Sequence, residues 1–194
     1  MSEVIEFFNF TIQPKLKSTK EYFEATLYQL ESKFTETTPF TDSFSIMIKK
    51  SFLITTYSIL EQELSIFTKL IQMKSTSNIK IDDLKHRGIY RDYIYLTKVI
   101  GFKLESDINW RKIQVYNRIR NYFVHEPRNV LSQMEVKKLS NSKVPYIKFK
   151  KESNDKDRYV LTEIDSNLII DFLTTIEMFL KELFIEAYKK EYFK

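Results

Sequence analysis

The sequence predicts an all-α fold, a bundle of four to five helices with one β-hairpin inserted before the last of them. Three observations carry this. The 194 residues include only two glycines, Gly88 and Gly101, and four prolines, too few breakers for the many tight turns of a β-architecture. Apolar residues recur at intervals of three and four along extended segments, the period of a helix with one buried face. A single pair of short β-prone runs interrupts that pattern. With 43% hydrophobic and 15% aromatic residues, the chain has ample material for a packed core, and its length suits a single domain over residues 1–194.

The first helix is expected over about residues 14–36, with Leu16, Tyr22, Phe23, Leu27, Leu30 and Phe34 recurring on it and Pro14 in its first turn. A break at 35–40 leads to a long second helix, about 42–73, whose Leu53, Tyr57, Leu60, Leu64, Phe67 and Ile71 form one stripe. The third spans about 82–100, kinked at Gly88 and capped by Gly101. The fourth begins at Asp107, a suitable N-cap, and turns Trp110, Ile113, Tyr116, Ile119 and Phe123 inward. Pro127 disfavours helical geometry at Glu126, so this helix should stop or bend at His125. Residues 128–164 read as a basic insertion. It is irregular to Ser142, and then runs 146–150 and 158–162 flank a polar turn at 152–155. A closing helix over about 165–192 carries Leu168, Phe172, Ile176, Phe179, Leu180, Leu183 and Ala187.

The net charge of +5 is unevenly spread. Residues 111–158 hold 13 Lys and Arg against 5 Asp and Glu, and the remainder holds 18 against 21. A local positive field is what a polyanion site needs, and a solubilising surface is the plain alternative. There is no cysteine, so no disulfide and no thiolate metal site, which fits a reducing cytosol. The acidic start Met1-Ser2-Glu3 lacks the basic region of a signal peptide, and no apolar run reaches membrane-spanning length. A cytoplasmic protein without a membrane partner is expected. His86 and His125, separated by a helix and lacking a carboxylate cluster, do not form a ligand set; no metal and no cofactor are expected.

The segment Arg118-Ile-Arg120-Asn121-Tyr122-Phe123-Val124-His125 carries the chemistry. Histidine can give or take a proton near neutrality, and arginine is a permanent cation whose fork matches phosphate oxygens. Together they supply what cutting a phosphodiester needs, a proton carrier and a cation where negative charge builds. By a helix C-terminus, the macrodipole favours a protonated His125. On a regular helix Arg118, Asn121, Tyr122 and His125 share one face, while Arg120 points well around it unless the helix distorts.

Arg120-Asn121-x3-His125 resembles the HEPN superfamily, small all-helical domains marked by Arg-x4-6-His, often with Asn directly after the Arg. That form favours Arg120 over Arg118. The run Tyr57-Ser58-Ile59-Leu60-Glu61 looks like the acidic residue many HEPN families carry on an earlier core helix. The resemblance covers roughly residues 44–125 plus the closing helix, and the basic hairpin lies outside the common core. It implies a HEPN-like helical bundle and a metal-independent endoribonuclease that cleaves RNA as a homodimer with a composite site. It also implies a toxin, abortive-infection or antiphage effector, with an antitoxin or defence-system protein as a possible partner. The alternative is a non-catalytic RNA- or nucleotide-binding scaffold module. Toxins paired with nucleotidyltransferases usually carry a Tyr two residues after the His; Pro127 stands there instead.

Within that resemblance His125 is the general acid/base, against a plain reading as a C-capping side chain. Arg120 neutralises the phosphorane, against a surface ion pair. Asn121 orients the phosphate or His125, and Glu61 pairs with Arg120 to fix its rotamer. Arg118 is the fallback cation or a phosphate binder. Lys148, Lys150 and Lys151, interleaved with Tyr146 and Phe149, suit an RNA backbone with base stacking, though ordinary hairpin surface is as good an account. His86, between Lys85 and Arg87, reads as polar surface.

Overall fold

The computed structural model describes residues 2–33, 39–104, 107–125, 130–140, 146–152 and 157–193. It is mostly helical with a small antiparallel sheet. In chain order the elements are α1 (Ser2–Thr11), α2 (Gln13–Lys33), α3 (Pro39–Lys74), a 3-10 turn (Ile81–Asp83), α4 (Gly88–Ile94), α5 (Asp107–His125), β1 (Val130–Ser132), α6 (Gln133–Ser140), β2 (Ile147–Lys151), β3 (Arg158–Ile164) and α7 (Asn167–Lys189).

The apolar stripes decide the packing. All six expected residues of α3 are buried, as are the five of α5 and the seven of α7. Burying such side chains stabilises the fold by about 1.5–3 kcal/mol each. Ring contacts fix the directions. Phe67 meets Phe184 at 4.8 Å and Tyr57 meets Phe172 at 6.3 Å, so α3 and α7 run parallel. Trp110 meets Phe179 at 5.7 Å and Tyr116 meets Phe172 at 4.2 Å, so α5 runs antiparallel to α7. α1 and α2 lie along the same groove, with Phe8 on Phe184 at 5.8 Å and Gln13 donating to Glu177 at 3.0 Å.

Three expectations are corrected. The N-terminal segment is itself helical: Phe8 and Ile12 are buried, and the first helix starts well before Pro14. Tyr22, expected on the stripe of α2, is exposed, and Phe34 lies outside the described residues. Gly88 does not kink a helix but begins α4, at a φ of +56° that only glycine adopts freely. α4 then widens into a π-turn, with Ile100 N–H donating to Tyr95 O at 3.0 Å. Gly101, at φ +76°, lets Phe102 N–H reach back to Leu96 O at 2.9 Å, the closure expected of it.

The hairpin is a three-stranded sheet of order β1-β3-β2. β2 and β3 pair from Ile147↔Ile164 to Lys151↔Tyr159 with an irregularity at Lys148/Phe149, and β1 adds Val130↔Val160 to Ser132↔Arg158. The expected turn falls largely outside the described residues. Leu161 and Ile164 are buried in the core of the bundle, Leu131 is buried as well, and Lys49 of α3 donates to Ile164 O at 2.8 Å. α6 starts on a capping box: Ser132 N–H and Oγ both bond Glu135 Oε2, at 2.8 and 2.7 Å.

Candidate active site

α5 presents two different faces. Its inner face packs Ile113, Tyr116, Ile119 and Phe123 into the core. At the edge of that face Arg120 folds back onto α3, its guanidinium carbon 5.4 Å from the centre of the buried Tyr57 ring. Arg120 Nη1 donates to Asn121 Oδ1 at 2.9 Å. Arg120 Nε is buried without a hydrogen-bond partner, a state that costs on the order of 1–3 kcal/mol.

Glu61, one turn beyond Tyr57 on α3, makes no ion pair with Arg120 among the described residues. The expected direct pairing is therefore absent among the described residues; both side chains act on Tyr57 instead. Burial pushes the Tyr57 hydroxyl pKa up, Glu61 pushes it further, and Arg120 pulls it down. The Glu61 carboxylate stands beside Gly88, where Oε1 would lie 3.7 Å from a side-chain carbon. Asp92 of α4 belongs to the same cluster. It is buried, and its pKa is raised chiefly by that burial, with Arg91 and Lys69 opposing and Glu61 reinforcing the shift. Sequence reasoning missed Asp92. The available signal was a carboxylate in the apolar period between the buried Ile89 and Leu96.

His125 is the last described residue of α5, and its side chain is exposed. The helix is regular to that point, so Arg120 and His125 diverge by about 140° around it. Arg118 is exposed and shares the His125 side of the helix, as does the half-buried Asn121. The structure thus groups Arg118, Asn121 and His125 on one face, and Arg120, Tyr57, Glu61 and Asp92 in the seam behind it. Asn121 joins the two groups through its bond to Arg120. Glu126 and Pro127 lie outside the described residues.

The lysines of the sheet divide. Lys148 pairs across the strands with Glu163 at 2.8 Å, and that bond raises its pKa. Its positive charge is thereby offset locally. Lys150 and Lys151 are exposed on the edge strand. Tyr146 and Phe149, expected as stacking partners, are half-buried and pack against the core. The hairpin therefore offers cations without open aromatic platforms, because the alternate residues of β2 are needed to seal the sheet onto the bundle.

Among the described residues no three His, Asp or Glu side chains gather as a metal-ligand set, and no helix is long and apolar enough to cross a membrane. Comparisons with protein-family models, with curated proteins and with solved structures found no match.

Proposed function

We propose that this chain is a HEPN-type, metal-independent endoribonuclease acting as a homodimer in toxin or antiphage defence. The observation that carries the reading is the exposed end of α5, where His125 stands clear of the fold with Arg118 and Asn121 beside it and Arg120 just behind. In the proposed reaction His125 takes the proton of a ribose 2′-hydroxyl as its oxygen attacks the adjacent phosphorus. The guanidinium offsets charge on the phosphorane. The 5′-oxygen then leaves with a proton from the partner's His125, because one imidazole does not serve as base and acid in the same step. The products are a 2′,3′-cyclic phosphate and a 5′-hydroxyl. The orphaned Arg120 Nε supports a guanidinium that gains by turning outward to a phosphate.

End-group analysis of RNA incubated with the protein in EDTA tests this. The expected result is cyclic-phosphate ends, with DNA uncut. Loss of cutting in chelator, or equal cutting of DNA, sinks the mechanism. Expression in bacteria should slow growth, and His125→Ala should relieve it. One observation favours the scaffold reading instead. Arg120 is already engaged by Tyr57 and Asn121, as a purely structural arginine would be. RNA binding without any cleavage would select that reading.

A further inference from the structure

The outward face of α5 continues far beyond the His125 end. Gln114, Asn117, Arg118, Asn121 and His125 fall within a sector about 100° wide, with Arg118 and His125 exposed and the three amides half-buried. None of them is a carboxylate. Among the described residues no hydrogen bond or ion pair engages Gln114, Asn117, Arg118 or His125, and Asn121 bonds only Arg120. At its other end this stripe runs into Trp110, which is buried between Tyr93 at 3.9 Å and Phe179 at 5.7 Å. Tyr90 lies nearly parallel to the Trp110 ring at 6.3 Å and is 41% exposed. His86 meets the Tyr90 ring edge-on at 4.8 Å, and the exposed Lys85 and Arg87 flank it. Two acids of the preceding turn are otherwise occupied, Asp82 pairing with Arg91 at 3.2 Å and Asp83 accepting from Lys80 N–H at 2.7 Å, while the Glu61 carboxylate stands behind, beside Gly88.

We infer that this face of α5 is a track for single-stranded RNA, from a base-stacking platform at Tyr90 and His86 to the His125 end. The inference rests on the nuclease reading for what happens at that end, but not for the binding itself. From Trp110 to His125 the track is about 22 Å long, room for about six stacked nucleotides at ~3.4 Å each. Amides and cations meet backbone and base edges, and an open ring at the far end takes a base face.

The test is fluorescence anisotropy of the full chain with a labelled 2′-O-methyl RNA oligonucleotide, which binds but cannot be cut, across a salt series. Tyr90→Leu should weaken binding about five- to a hundredfold. Arg87→Gln with Arg118→Gln should weaken it and lower the log–log salt slope by about 1.4. Lys17→Gln with Lys20→Gln, on α2, should leave it unchanged, and circular dichroism melts should match wild type. Four results overturn the track: no oligonucleotide bound, equal loss from the α2 variant, an acidic peptide displacing the RNA at lower concentration, or track variants that bind as tightly as wild type. Tight, track-dependent binding with no cleavage of ordinary RNA upholds the track and sinks only the nuclease reading.

Discussion

The two faces of α5 are made from one stretch of chain and obey different constraints. Inward, Ile113, Tyr116, Ile119 and Phe123 occur where the helical period puts them and all are buried; Tyr116 stacks on Phe172 of α7, and Lys50 of α3 lies over the Phe123 ring. Outward, Gln114, Arg118, Asn121 and His125 have the same spacing, and of these only Asn121 bonds a side chain among the described residues, that of its neighbour Arg120. A face that is polar and unengaged contributes little to stability, so its residues are free to serve a ligand. Between the faces sit Arg120 and Tyr57, which do both.

The largest effect should come from cutting into the inner face. Ile119 is fully buried, so Ile119→Ala should lower the unfolding free energy by about 2–5 kcal/mol in urea titration. Loss of RNA cutting should follow only as far as folding is lost. His125→Ala should do the reverse: cleavage falls on the order of a hundredfold or more while the melting temperature holds. If His125→Ala unfolds the protein, the two faces are not separable, and His125 is a structural cap.

The seam is the sharper test. Arg120→Ala removes a cation over Tyr57, worth about 0.5–2 kcal/mol, and should lower stability slightly together with cleavage. Arg118→Ala should leave stability unchanged. Measuring both variants for melting temperature and cleavage assigns the operative arginine. If Arg118→Ala inactivates and Arg120→Ala does not, the six-residue spacing carries the chemistry and Arg120 is a support for α3. Titrating His125→Ala chains into the wild-type protein should lower cleavage by more than dilution if the site draws on both subunits, because each mixed dimer lacks one of the two imidazoles.

The inner face was legible because period, breakers and burial all point the same way there. The stripes of α3, α5 and α7 follow from residue spacing. β1 was not legible. It is a run of only three residues, stabilised by β3 from some thirty positions away, and a local pattern carries no trace of that pairing. α6 did have a local signal, the Ser132-x-x-Glu135 capping box, which sequence reasoning passed over. For the site, the spacing put Arg118 and His125 together. The place of Arg120 over Tyr57, whose hydroxyl Glu61 also influences, depends on how α3 and α5 cross, and no spacing within α5 reports it.

Asp92 marks where the comparison is most finely balanced, since it is an acid on an inner face. Burial raises its pKa above the unfolded value, so the folded state holds this proton more tightly. The favourable contribution is therefore fully present below about pH 3.9, the unfolded carboxylate value, and is lost as pH rises through the folded value. Asp92→Asn keeps the shape and carries no charge at any pH. Its melting temperature should match wild type at acid pH and exceed it near neutrality, with the gap opening as pH rises. That outcome makes Asp92 a cost of burying a carboxylate, with Glu61 adding to it. If the variant is instead less stable at neutral pH, Lys69 and Arg91 hold the charge more strongly than burial opposes it. Asp92 would then belong to the seam that positions Tyr57 and Arg120, and Asp92→Asn should lower cleavage as well as stability.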